Sequence, residues 1–266
     1  MDDGGGADSG LVLLERRRPS ATLTFNRPEK LNAISSGMLR ALDRRMDEVE
    51  NDPSVRAVIL TGAGPKAFVA GADIGEYAEQ DRESFLAYQR ESRRLFSRVD
   101  EFPQPVIGAV NGYALGGGFE IALCCDILIA STNARFGLPE GLLGLSPGGG
   151  GTQRLTRAVG PFVAADVLVA ARRLTAEDAL TLGLVSAIVE PEALMPSAIE
   201  KAEAISRVGP LAGREMLGLI RSAMESSLTE GLSEEQEVLA RLHLTADAAE
   251  GIRAFVEKRE PRFRGT

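Results

Sequence analysis

Asn111-Gly112-Tyr113-Ala114-Leu115-Gly116-Gly117-Gly118-Phe119-Glu120 joins a turn dipeptide to three consecutive glycines and an apolar run that continues to Cys125. Asn-Gly marks a turn, and the apolar run after it reads as a helix opening near Gly117. The first N–H groups of a helix have no intrahelical acceptor, and the dipole at that end favours negative charge, so such an end can stabilise an oxyanion. Glu120 would lie about one turn along, close enough to work beside that oxyanion. Each residue also has a plainer reading: Gly117 as a tight turn that needs a small residue, Glu120 as a charge that suits the helix dipole. Phe68-Val69-Ala70-Gly71-Ala72-Asp73-Ile74 is the second informative stretch. It reads as a loop whose small residues permit close approach of a ligand to backbone donors, although Ala72 too is open to the tight-turn reading.

Upstream of these stretches, residues 11–15 and 21–25 read as strands joined around Pro19-Ser20, an opening hairpin that Asn26-Arg27-Pro28 ends. Met38, Leu39, Leu42, Met46 and Val49 recur at helical spacing over residues 35–51, which predicts an amphipathic helix. A strand is expected over residues 56–61, and a more polar helix over 82–99 is placed to cover a site or line its entrance. Strands follow at 106–110 and 127–130, and residues 135–151 are expected to be dominated by loop. Helices are expected at 152–159, 161–169 and 175–182, the last with Thr175 and Asp178 at capping-box spacing, before a strand at 185–189. The remaining chain reads as helices at 192–206, 210–227, 233–242 and 246–260. Alternating strands and helices followed by helices alone indicate an α/β core and a helical module. The expected organisation is a disordered, acidic and glycine-rich tail over residues 1–10, a catalytic core over 11–200 and a C-terminal helical region over 201–266.

A chain of 266 residues can bury a substantial core. Its formal charge of -8 disfavours nonspecific binding to nucleic acid or an anionic membrane, while leaving room for a local basic site. The only cysteines, Cys124 and Cys125, are adjacent, which suits neither a disulfide framework nor a thiolate metal site. With His243 as the single histidine, no metal is expected. A reducing compartment, the cytoplasm, is the expected location, and no apolar run approaches membrane-spanning length. Glu140 follows Phe136-Gly137-Leu138-Pro139 and by itself reads as a surface-loop glutamate. Gly148 to Gly151 reads as a flexible turn or a phosphate nest, without the lysine and hydroxyl of a nucleotide-binding loop.

Taken in order, Phe25-Asn26-Arg27-Pro28, residues 68–74, residues 111–120, Phe136 to Glu140 and Gly148-Gly149-Gly150-Gly151-Thr152-Gln153-Arg154-Leu155 resemble the enoyl-CoA hydratase/isomerase, or crotonase, family. Ala254 to Arg259 with Pro261 and Phe263 extends the resemblance to the C-terminus, so that it covers nearly the whole chain after Gly10. The resemblance implies an α/β fold built as a spiral of β-β-α units, with C-terminal helices that assemble trimers, commonly paired into hexamers. It implies that Ala72 and Gly117 supply oxyanion-hole N–H groups and that Glu120 and Glu140 are the acid/base pair. Gly148 falls at the position whose backbone helps orient the catalytic water. Lys30, Ala70, Asp73, Ile74 and Lys258 match substrate or CoA contacts, Lys258 by way of a neighbouring subunit.

The implied reaction is reversible addition of water to a 2-trans-enoyl-CoA to give a 3-hydroxyacyl-CoA, with no metal or redox cofactor because CoA belongs to the acyl-CoA thioester substrate. An enoyl-CoA isomerase or another crotonase-family acyl-CoA lyase is the nearest alternative; for the isomerase, Glu140 alone could move much of the proton. An RNA-binding homologue and a silent CoA-binding protein are alternatives of other kinds, and the net charge and the lack of an RNA-recognition aromatic motif weigh against the first.

Overall fold

Residues 10–266 are described by the computed structural model; the tail expected over residues 1–10 lies, but for Gly10, outside the described residues. Strands β1 (Val12–Arg17) and β2 (Ser20–Phe25) form the expected antiparallel hairpin, in register from Val12 opposite Phe25 to Arg17 opposite Ser20. Helix α1 (Ser36–Glu50) follows, its start fixed by the Ser35 side chain accepting from the Met38 N–H, and it buries the apolar stripe read from the sequence.

The centre of the chain then repeats one unit: a strand in a large sheet, a strand in a small sheet, and a helix. The repeats run β3 (Ala57–Gly62), β4 (Ala67–Ala70), α2 (Ile74–Glu79) and α3 (Arg82–Asp100); β5 (Val106–Val110), β6 (Tyr113–Leu115) and α4 (Gly117–Ala122); and β7 (Ile127–Ser131), β8 (Arg135–Gly137) and α5 (Gly151–Val159). Helix α6 (Pro161–Val169), β9 (Leu174–Thr175), α7 (Ala176–Thr181), β10 (Ala187–Val189) and α8 (Leu194–Ser206) complete the core. Helices α9 (Pro210–Ser222), α10 (Leu228–His243) and α11 (Ala246–Glu257) follow. The six-stranded sheet has the order β1-β2-β3-β5-β7-β10 and the four-stranded sheet the order β4-β6-β8-β9, so the β-β-α spiral is present.

Alternation along the strands of the large sheet divides the core. Val58, Leu60, Val106, Val110 and Leu128 face the main cluster, where Phe25 meets Phe68 edge-on at 5.6 Å. Ala57, Ile59, Ile107, Ala109 and Ile129 face the opposite way, onto Leu194, Ala198 and Ala202 of α8. Complete burial of an aliphatic or aromatic side chain stabilises a fold by about 1.5–3 kcal/mol, so the sheet is anchored from both sides.

Several sequence expectations change, among them the helix expected over residues 210–227, which ends at Ser222 as α9. The loop over residues 68–74 contains β4, and the loop over 135–151 contains β8 and one tight helical turn, Pro139–Leu143. Helix α4 ends at Ala122, where the expected helix ran to Cys125. Helix α10 begins at Leu228 and not at residue 233, because Ser227 and Glu230 form a reciprocal capping box; the box expected at Thr175 and Asp178 is also present.

The small sheet is held to α4 by close backbone approach. A Cβ on Gly118 would lie 2.0 Å from the Val69 carbonyl oxygen, a contact that no rotamer change relieves. Gly118→Ala should therefore destabilise the protein by about 1–3 kcal/mol or more, as overpacking does, and lower its denaturation midpoint. An unchanged midpoint would show that α4 and β4 have room to separate.

Candidate active site

Three parallel strands of the small sheet end beside one cavity. β4 pairs with β6 and β6 with β8, all parallel, so the segments leaving their C-terminal ends are neighbours. Those segments carry Ala72, Gly117 and Glu140. The cavity, about 610 Å³, is lined by Ala70, Ala72, Gly117, Glu120, Glu140 and Gly148, among others.

The backbone around Ala72 is aimed by a single parallel bridge. Ile34 donates to the Gly71 carbonyl at 2.8 Å and accepts from the Asp73 N–H at 2.8 Å. In a parallel bridge the partner's own N–H and C=O point to the other side, so Ile34 leaves the Ala72 N–H facing away from it. Gly117 is the first residue of α4, where N–H groups lack intrahelical acceptors. Gly116 before it adopts φ 52°, ψ -128°, a conformation open to glycine. A Cβ at Gly116 would also come within 3.1 Å of Glu140 Oε1. The lack of a side chain there lets the Glu140 carboxylate lie over the start of α4.

The two glutamates occupy different environments. Glu120 is 4% exposed, and its Oε1 accepts from the N–H groups of Gly149 and Gly151, each at 2.8 Å. Burial raises its pKa; the Gly151 and Gly149 amides and the positive charge of Arg154 pull it down, and burial prevails. Glu140 has a buried Oε2 with no hydrogen-bond partner. Burial first, then the charge of Glu120, push its carboxyl up to about 7, against a downward pull from its own backbone N–H. One carboxyl held by fixed donors beside another that titrates near neutrality is an arrangement suited to acid/base work.

The remaining expected contacts divide. Ala70 and Ile74 line the cavity, whereas Lys30 and Lys258 do not line it in the single chain. The Asp73 carboxylate is engaged elsewhere: Arg27 donates to it at 3.0 Å and the Gly75 N–H at 3.1 Å, which together outweigh burial and lower its pKa. Arg27 also donates to the Ala33 carbonyl, and buried Asn32 donates to the carbonyls of Ala63 and Ala67. Arg27 and Asn32 thus brace both sides of the Ala72 segment. The sequence marked the motif that holds Arg27 without revealing this task, and it did not mark Asn32. Gly149 and Gly151, the donors to Glu120, were likewise hidden within a run of four glycines. Among the described residues no group of three or more His, Cys, Asp or Glu side chains is placed to hold a metal.

The enoyl-CoA hydratase/isomerase family profile matches residues 16–266. The chain belongs to this family. Within the family it is 45% identical over 249 residues to the short-chain-enoyl-CoA hydratase of Clostridium acetobutylicum, covering 94% of this chain and 95% of that protein. It is 39% identical over 254 residues to the 2,3-dehydroadipyl-CoA hydratase of Escherichia coli, covering 96% and 98%. The crystal structure of an enoyl-CoA hydratase from Bacillus anthracis superposes with a TM-score of 0.93 at 37% identity, covering 96% of this chain and all of the other.

The raised Glu140 pKa has a consequence for stability. The folded chain keeps a proton that the unfolded chain releases from about pH 4.5, the ordinary value, until the folded group itself ionises near 7. The folded state therefore loses stability as pH rises through that window. Glu140→Gln removes the ionisation. Its Tm relative to the parent should climb between about pH 4.5 and 7 and stay level above, whereas an offset equal at every pH would contradict the shift.

Proposed function

We propose that the protein is an enoyl-CoA hydratase, adding water reversibly across the double bond of a 2-trans-enoyl-CoA. The observation that carries this reading is the pairing in one cavity of two backbone donor positions, Ala72 and Gly117, with two carboxylates, Glu120 and Glu140. The relatives named as hydratases support it.

The thioester carbonyl gains enolate character when oxygen attacks C3. Donation from the Ala72 and Gly117 N–H groups stabilises that charge, and a well-placed donor of this kind is worth about 3–4 kcal/mol. Glu120 holds and deprotonates the attacking water, its Oε1 fixed by the Gly149 and Gly151 amides. Gly148, in the adjoining wall, helps to orient that water. Glu140 delivers the proton to C2 and removes it in the reverse direction, a role suited to a pKa of about 7. The oxygen that attacks and the proton added at C2 supply the elements of one water. Isomerisation needs Glu140 but gives Glu120 and its amide loop no task, so the complete pair favours hydration.

No metal or redox cofactor enters this scheme. CoA is the carrier of the acyl group, and Lys258 is assigned to its phosphates from a neighbouring subunit. Assembly as a trimer, or a hexamer of two trimers, is supported by apolar side chains left open on the last helices, such as Ile220 at 66% and Leu239 at 67% exposure. The proposed setting is the cytoplasm, in the metabolism of fatty acyl thioesters. Among the described residues no helix is long and apolar enough to cross a membrane.

Crotonyl-CoA hydration, followed by loss of the enoyl thioester absorbance, tests the reading. Glu120→Gln and Glu140→Gln should each lower kcat by about 100-fold or more, because glutamine retains the shape but not the proton transfer. Parental rates in either variant would refute the assignment. Gly117 separates donor from side chain. Gly117→Pro, which deletes the N–H, should be far more damaging than Gly117→Ala, whose Cβ would meet the flexible end of Ile34 at 3.2 Å and the Phe96 ring at an ordinary 3.8 Å. Equal and parental activity in both would remove Gly117 from the oxyanion hole.

A further inference from the structure

Ile34 touches both halves of the backbone donor pair. Its main chain bridges the Ala72 segment, donating to the Gly71 carbonyl and accepting from the Asp73 N–H, each at 2.8 Å. Its side chain reaches the other half, since a Cβ on Gly117 would come within 3.2 Å of Ile34 Cδ1. Ile34 is buried and stands just before Ser35, which caps α1. The placement of the Ala72 N–H relative to Gly117 thus passes through one residue. Whatever fixes Ile34 fixes the pair.

Helix α3 supplies that fixation. The Tyr88 hydroxyl donates to the Ile34 carbonyl at 3.2 Å, in buried surroundings. Together with the Asp73 N–H it fills both acceptor positions of the carbonyl oxygen, one donor coming from the segment being aimed and one from the helix outside it. The ring of Tyr88 is held in turn by the edge of Tyr77, with centroids 5.2 Å apart and planes at 80°, and the Ser92 hydroxyl donates to the Tyr88 carbonyl at 2.9 Å. Burial pushes the Tyr88 phenol well above its ordinary value, so it stays a donor at any working pH. A phenylalanine would fill the same space. What the hydroxyl adds is the bond to Ile34, because a buried phenol needs a partner and finds it there.

We propose that Tyr88 is a positioning residue of the reaction, which acts through the Ile34 carbonyl to hold the Ala72 N–H in line with the thioester oxygen. The inference rests on the hydratase reading for the task of the Ala72 and Gly117 N–H groups. Donors of this kind act by being aimed before charge develops. A carbonyl anchored by the Asp73 N–H alone lets that peptide tilt, and the stabilisation lost is chiefly that of the transition state. The signature is a fall in kcat with little change in ground-state binding.

Tyr88→Phe keeps the ring and removes the hydroxyl. Its kcat for crotonyl-CoA hydration should fall about tenfold, with KM and the Kd of butyryl-CoA within about twofold of the parent. Infrared spectra of bound butyryl-CoA, isotopically labelled at the thioester carbonyl, read the aim of the donors directly, because hydrogen bonding lowers the carbonyl stretch. The band should lie below its free position in the parent and move back toward it in Tyr88→Phe. Glu140→Gln, slow for a different reason, should keep the parental band. An unmoved band in Tyr88→Phe would overturn the proposal whatever its rate or melting temperature, leaving the hydroxyl a structural contact, as would a moved band with parental kcat. A parent that lowers the band but hydrates no crotonyl-CoA, with the band restored in Tyr88→Phe, would sustain the positioning role and reject the hydratase reading. A parental band at the free position would overturn the oxyanion hole and the proposal together.

Discussion

A carboxylate that is almost wholly buried must be given hydrogen bonds or lose its charge, and Glu120 meets that constraint through two amides of a single glycine loop. Much of the local architecture follows from it. The loop must pass close to α4, which leaves no room for side chains: a Cβ on Gly149 would sit 2.8 Å from Glu120 Oε2, and one on Gly151 3.1 Å from Oε1. Gly150 between them turns at φ 112° and starts α5. Arg154, on the next turn of α5, reaches back to Asp100 at the end of α3 with a 2.7 Å contact. The loop, the covering helix and the buried acid are thereby joined into one unit.

The small sheet supplies the other half of the site. Three short parallel strands place the Ala72 segment, the start of α4 and the Glu140 turn side by side, and Arg27 with Asn32 clamps the first of them from outside. Asp73 illustrates how position and role can separate. It lies next to Ala72, the proposed oxyanion-hole position, yet its carboxylate is satisfied by Arg27 and by the first turn of α2. Glu140 is the opposite case, a carboxyl with one oxygen buried and unpaired, whose strain is relieved by holding a proton.

Longer periodic elements were legible in the sequence because their burial is written as a repeat: the stripe of α1, the strands of the large sheet and the capped start of α7 all lie where spacing and capping place them. The small sheet was not. β4, β6 and β8 have four, three and three residues, too few to display a period of two, and glycines stand at their ends: Gly71 after β4, Gly112 before β6, Gly116 after it and Gly137 closing β8. The early start of α10 was missed, although the Ser227 and Glu230 pair carries a local capping signal that outweighs the weak hydrophobic pattern beside it. Within the site, the expectation for Glu120, Glu140, Ala72 and Gly117 came from the family resemblance of the ordered motifs, and the fold brings the four to one cavity. Backbone donors leave no trace of direction in sequence, which is why Gly149 and Gly151 emerge only from the fold.

The central claim is a division of labour, with proton transfer at C2 belonging to Glu140 and water activation at C3 to Glu120. Exchange of the C2 protons of butyryl-CoA in deuterated water isolates the first task, since a saturated thioester cannot add water. Nuclear magnetic resonance should show exchange catalysed by the parent, nearly abolished in Glu140→Gln and retained in Glu120→Gln to a greater extent than hydration is. Exchange that persists in Glu140→Gln, or vanishes only in Glu120→Gln while both variants still bind the thioester, would contradict the account.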